Sequence, residues 1–167
     1  MKPEYYTGLD LSLCSTGLVI LDQNLGVKIS MVISSKKKDV ERLQEVERIL
    51  VNTLKPFGHT FICMEGYSFG SRTGQAFSIG ELGGIVKSAL VRGGYEYKLI
   101  SPPTLKKFVT GKGHSKKEMI LKEVFKKWGM DFNDNNTADA YGLARMARSY
   151  FNRDDLTKAE LELIKKI

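Results

Sequence analysis

The chain reads as an α/β protein built on a five-stranded mixed sheet with helices on both faces. Three observations predict this. Three short apolar stretches near the start are joined by loops of a few residues, which makes an antiparallel meander. After them strands and helices alternate, as they do when parallel strands are linked by helical crossovers. The 167 residues, 42% hydrophobic and 27% charged, suffice for one domain with a real core, expected to span residues 1–167.

Residues 5–12 and 16–22 are the first two strands. Gln23-Asn-Leu-Gly26 is a turn, and Val27 to Ile33 alternates as a third strand. Asp39 then caps a helix whose apolar stripe is Val40, Leu43, Val46, Leu50 and Leu54, with Pro56 beyond its end. Thr60 to Met64 is a short buried strand that ends at Glu65, and residues 66–74 form a loop rich in glycine and polar residues. A helix from about Gln75 to Arg92 packs through Phe77, Leu82, Ile85, Val86 and Ala89, and Gly93 ends it. Tyr95 to Ile100 is the fifth strand, and Ser101-Pro-Pro-Thr begins a new element. Ser115-Lys-Lys-Glu118 forms a capping box for a helix with Ile120, Leu121, Val124, Phe125 and Trp128 on one face. Asn136 to about Asn152 is a helix with Tyr141, Ala144 and Ala147 inward, and a short helix from Leu156 to Ile167 follows.

No run of 18 apolar residues is present, so no membrane span is expected, and the first residues lack the apolar centre of a signal peptide. Cys14 and Cys63 have no partner at metal-ligand spacing, which makes a disulfide or zinc site unexpected and a reducing cytoplasm the simplest home. The net charge of +7 is uneven: residues 98–128 hold nine lysines against Glu118 and Glu123. A basic segment of this kind suits a polyanionic partner, although a solvated helix face accounts for the charge equally well.

Three acids stand out. Asp10 and Glu65 lie at the ends of β-branched or apolar runs, where a carboxylate is costly unless paired or bound to a metal. Asp139 lies in the first turn of the helix that follows Asn136. Each has a plain structural alternative. Asp10 could be an exposed strand acid, Glu65 a strand-end carboxylate that accepts loop N–H groups, and Asp139 an acid favoured by the helix dipole behind an Asn136 cap. Their joint placement changes the weighing. If the first and fourth strands are neighbours, Asp10 and Glu65 end side by side, and a late helix crossing there adds Asp139. Three such carboxylates would repel unless a divalent cation held them, the arrangement of metal-dependent phosphodiester cleavage.

Four stretches carry a resemblance: Gly8-Leu-Asp10-Leu-Ser, Met64-Glu65-Gly-Tyr, Val109-Thr-Gly-Lys-Gly-His-Ser-Lys-Lys117 and Ala138-Asp139-Ala-Tyr-Gly-Leu-Ala. In order and spacing the chain resembles the RuvC-type Holliday junction resolvases of the ribonuclease H-like superfamily, and its short, divergent sequence is similar to their phage-borne branch. The resemblance implies a ribonuclease H-like fold, a homodimer, and an acidic site for two Mg²⁺ or Mn²⁺ ions held by Asp10, Glu65 and Asp139. The fourth acid of the family's pattern is here Asn136, whose amide oxygen can still ligate but brings no charge, and nearby Asp134 is a possible substitute.

Lys117 matches a lysine of the family's active site. Its spacing one turn before Ile120 and Leu121 also places it on the inward side of its helix, where a first-turn lysine could equally snorkel to solvent. The resemblance further makes Phe69, or failing it Tyr67, a wedge for the junction centre; simple core packing is the alternative, against which the flanking glycines and Ser71-Arg72 argue, and Arg72 is a further DNA-binding candidate. Lys106, Lys107, Lys112 and Lys116 would hold the DNA backbone.

The expected activity is therefore structure-selective cleavage of branched DNA, in the cytoplasm or, for a phage-borne chain, the host cytoplasm. Two other readings stand beside it. One is a protein of the same fold that binds branched DNA without cutting it, which the Asn136 departure keeps open. The other is one lobe of an actin-like sugar kinase or ATPase, suggested by Asp10-Leu-Ser-Leu-Cys-Ser-Thr-Gly17 but disfavoured by the length of the chain and the lack of an adenosine-binding motif.

Overall fold

The structure is a computed structural model that describes residues 2–66 and 75–167. Strands β1 (Tyr5–Asp10), β2 (Thr16–Asp22) and β3 (Val27–Ile33) form the antiparallel meander. Strands β4 (Thr60–Glu65) and β5 (Glu96–Ile100) add in parallel on the other side of β1, so the sheet runs β3-β2-β1-β4-β5. The first and fourth strands are thus neighbours, as the site argument needs. Register runs Tyr5 opposite Thr60 through Leu9 opposite Met64, and one step further sets Asp10 and Glu65 abreast at the strand ends.

Strand alternation sorts the side chains into two cores. On one face Leu9, Leu18, Ile20, Ile62 and Met64 meet α1 (Asp39–Leu54) and α2 (Gln75–Arg92). On the other Tyr6, Val19, Leu21, Phe61, Cys63 and Ile100 meet α3 (Pro102–Thr110), α4 (Lys117–Trp128), α5 (Asn135–Phe151) and α6 (Lys158–Ile164). Helix α5 crosses the middle of the sheet, and its small inward residues Ala138, Ala140, Ala144 and Ala147 let it approach closely. The approach is set by two glycines. A Cβ on Gly8 would lie 1.8 Å from the Ala140 carbonyl oxygen, and one on Gly17 would lie 2.1 Å from that of Asn136.

Several expectations change. Phe77 is 81% exposed rather than packed. It precedes Leu82 by five residues, which turns it roughly 140° away from the buried stripe of α2. Val40 and Phe125 are exposed for the same reason of phase. Asp39 is the first residue of α1 with φ +47°, not its cap, which is Lys38 and makes no side-chain bond. Ser115 does not cap α4: its hydroxyl meets Thr110 Oγ1 at 2.6 Å and the Lys112 carbonyl at 2.9 Å, and the helix starts after Lys116. The Ser101-Pro-Pro-Thr stretch opens α3, with Ser101 as its cap. Among the described residues a capping box lies at α6, where Thr157 and Glu160 cap each other.

Candidate active site

The site is built where β1, β4 and α5 meet. Asp10 is the last residue of β1 and pairs with Gly17 of β2. By alternation it shares the face of Tyr6 and Gly8, the α5 side. Glu65 ends β4 on the face of Phe61 and Cys63, which is again the α5 side. Helix α5 lies over Gly17 at Asn136 and over Gly8 at Ala140, so Asp139 stands between these two crossings, beside the end of β1. Three carboxylates distant in sequence therefore share one face and one end of the sheet. Asp10 and Asp139 are only 4% and 5% exposed, while Glu65 is half-buried. Among the described residues, no three His, Cys, Asp or Glu side chains are grouped closely enough to hold one ion.

Asn136 is not the cap of α5. That role belongs to Asp134, whose carboxylate accepts the Thr137 backbone N–H at 2.9 Å and also the Thr137 hydroxyl. Both Asp134 oxygens are engaged in holding the helix start. The Asn136 side chain is instead free of capping duty, and its Nδ2 donates to Ser15 Oγ at 2.9 Å. Sequence reasoning missed Ser15. Its signal is position alone: it ends the β1–β2 hairpin, two residues before the glycine that α5 covers. The same hairpin is braced by Thr16, whose hydroxyl bonds both the backbone N–H and the carbonyl of Ser12.

Lys117 is the first residue of α4, and its side chain lies outside the described residues. Tyr67, Phe69 and Arg72 also lie outside them. Lys107, Lys112 and Lys116 are exposed and Lys106 is half-buried, with no ion pair to any of them among the described residues. Other lysines of the basic segment serve the fold. Lys98 sits 5.5 Å from the centre of the Tyr150 ring, and Lys126 pairs with Glu123 at 3.4 Å. Lys127 donates to the Phe108 carbonyl at 2.9 Å, pairs with Glu160, and lies over the Phe108 and Trp128 rings. Burial alone would raise the Glu160 pKa, but the bonds from Lys127 and Thr157 outweigh it and hold the carboxyl below its ordinary value. Cys14 is exposed and Cys63 is buried, neither is bonded to another cysteine, and burial pushes the Cys63 thiol far up, away from any nucleophilic role. No helix among the described residues is long and apolar enough to cross a membrane.

A family model described as crossover junction endodeoxyribonuclease RuvC matches residues 7–145. Two curated relatives carry that same name. The one from Prochlorococcus marinus strain NATL1A is 29% identical over 119 residues, covering 68% of this chain and 77% of that protein. The one from strain NATL2A is 27% identical over 144 residues, covering 82% and 93%. Among solved structures, Thermus thermophilus RuvC superimposes with a TM-score of 0.72 at 19% identity, covering 88% of this chain and 93% of that one. The same organism's RuvC in complex with Holliday junction substrate gives a TM-score of 0.75 at 19% identity, covering 96% and 97%. At such identities the structural matches show a shared fold.

Proposed function

Because the chain belongs to the RuvC family of crossover junction endodeoxyribonucleases, with that family's ribonuclease H-like fold, we propose that it cuts four-way DNA junctions by metal-dependent hydrolysis. The observation that carries the proposal is the placement of Asp10, Glu65 and Asp139 on one face at one end of β1, β4 and α5. The family match leaves the kinase-lobe reading without support.

The donors suit the chemistry. Asp10, Glu65, Asp139 and the Asn136 amide offer hard oxygens of the kind that Mg²⁺ or Mn²⁺ prefers. Asp10 would be a ligand of that site. Glu65, half-buried at its strand end, would turn toward the other two acids, while Asp134 stays with its helix. When bound, the ions supply an acidified water and charge for the leaving oxygen, which yields 5′-phosphate and 3′-hydroxyl ends.

The remaining work belongs to the chain. Lys117, at the start of α4, is assigned to the charge that develops on the scissile phosphate. Lys106, Lys107, Lys112 and Lys116 hold the DNA backbone and give binding its salt dependence. Phe69 or Tyr67 enters the open centre of the junction, with Arg72 beside it. Paired cuts across a four-way junction call for two sites related by a twofold axis, hence a homodimer. The two free cysteines suit a cytoplasmic setting, the host's if the chain is phage-borne.

The test is a nicking assay on a synthetic four-way junction with Mg²⁺, with Mn²⁺ and with chelator. Metal-dependent paired nicks support the proposal. Tight junction binding with no nicks under either metal would replace it with a branched-DNA-binding role.

A further inference from the structure

The amide of Asn136 stands where the family's pattern has a carboxylate, and it is not left to rotate. Gly17 fixes its backbone: a Cβ there would lie 2.1 Å from the Asn136 carbonyl oxygen and 3.2 Å from the Asn136 Cβ. At the other end, Asn136 Nδ2 donates to Ser15 Oγ at 2.9 Å. Nδ2 and Oδ1 lie on the two arms of one planar amide, so a nitrogen tied to Ser15 also fixes the direction of Oδ1. Asn136 and Asp139 are three residues apart on one helix and share a face, and Gly17 beneath Asn136 is the strand partner of Asp10. With its nitrogen held by Ser15, the amide keeps Oδ1 as its acceptor at the place where α5 crosses the end of β1.

We infer that Ser15 is a positioning residue that orients Asn136 as a neutral oxygen donor to the divalent-cation site. The inference rests on the nuclease reading above. It adds that the site carries one negative charge fewer than an all-carboxylate site, with the missing acid replaced by an amide held in one orientation. A hydroxyl suits this role because it accepts the amide N–H without adding charge beside the acids. Partners that orient a metal ligand commonly alter ion affinity by ~10-fold or more when removed.

The experiment is a double-mutant cycle read by calorimetric titration of the DNA-free protein with Mn²⁺. Wild type, Ser15→Ala, Ser15→Thr, Asn136→Ala, Asn136→Asp and the double variant Ser15→Ala with Asn136→Ala are compared, and the metal concentration that half-saturates junction nicking is the second readout. Ser15→Ala is expected to weaken Mn²⁺ binding about 10-fold. Ser15→Thr, which keeps the hydroxyl, should retain the wild-type affinity. In the Asn136→Ala background Ser15→Ala should change nothing further, because Ser15 acts through Asn136. Asn136→Asp should tighten binding by restoring the charge. If wild type binds Mn²⁺ and nicks junctions but Ser15→Ala binds as tightly, the inference fails and the nuclease reading stands. If wild type neither binds Mn²⁺ nor nicks, both fail together.

Discussion

Replacing Gly8 by alanine tests the close contact on which the site depends. The new Cβ would fall 1.8 Å from the Ala140 carbonyl oxygen, 2.5 Å from the Ala144 nitrogen and 2.8 Å from the Ala140 carbonyl carbon. All three are backbone atoms of α5, so no side chain can swing aside. Reaching ordinary contact distance requires α5 to retreat by roughly 1.5 Å. Overpacking a core typically costs ~1–3 kcal/mol, and the displacement of a whole central helix belongs at the top of that range. With a urea slope of ~2 kcal/mol/M, a loss of ~3 kcal/mol lowers the unfolding midpoint by about 1.5 M.

The companion change is Gly84→Ala in α2, where an added Cβ meets nothing within 4 Å. It should stabilise by ~0.5–1 kcal/mol through helix propensity, raising the midpoint by about 0.3–0.5 M. Urea unfolding followed by far-ultraviolet circular dichroism measures both. A Gly8→Ala midpoint within about 0.3 M of wild type, or a like response of the two glycines, would refute the close approach of α5 to β1. Gly8→Ala that remains folded should also nick poorly, since α5 carries Asp139 and Asn136 past β1.

Other consequences follow from the same contacts. The Glu160 carboxyl is held below its ordinary value, so its contribution is present at neutral pH and is lost as pH falls through the depressed value, below the reference of 4.5. Wild type should therefore exceed Glu160→Gln in stability by about 1 kcal/mol near pH 6, and the gap should close in acid; parallel stability profiles from pH 6 to pH 3 would refute this. For DNA binding, Lys107→Ala and Lys112→Ala should each reduce the slope of log affinity against log salt by about 1, measured by anisotropy on a labelled junction. Lys127→Ala, whose side chain is bound to Glu160 and the Phe108 carbonyl, should lower the unfolding temperature and leave that slope nearly unchanged.

Much of this architecture was legible because strand period and chain order are local properties. Asp10 lies between Leu9 and Leu11 in a strand, so alternation puts it on the face opposite both, and the short loops of the meander implied antiparallel pairing. Neighbouring first and fourth strands would set Asp10 beside Glu65, a late helix would add Asp139, and the family resemblance points to the same three acids. The failures have physical causes. Phe77, Val40 and Phe125 were placed inward on apolar identity, although helical phase turns them out. Residues 133–136 are Asn-Asp-Asn-Asn, four good capping residues in a row, and the cap is Asp134, where the backbone is extended and the carboxylate reaches the Thr137 N–H. Ser15 and Asn136 are 121 positions apart, and Lys127 and Glu160 are 33 apart, so neither pairing has a local signature. Such bonds exist only once α5 has crossed β1 and β2 and α6 has docked near α3.

The central claim is that Asp10 anchors a metal-dependent cut in branched DNA. The most direct measurement compares wild type with Asp10→Asn on one synthetic four-way junction, scoring binding and nicking in the same samples with Mg²⁺, with Mn²⁺ and with chelator. The account predicts symmetric, metal-dependent nicks by wild type, and junction binding without nicks by Asp10→Asn. Nicking that persists in Asp10→Asn, or that proceeds in chelator, would contradict it.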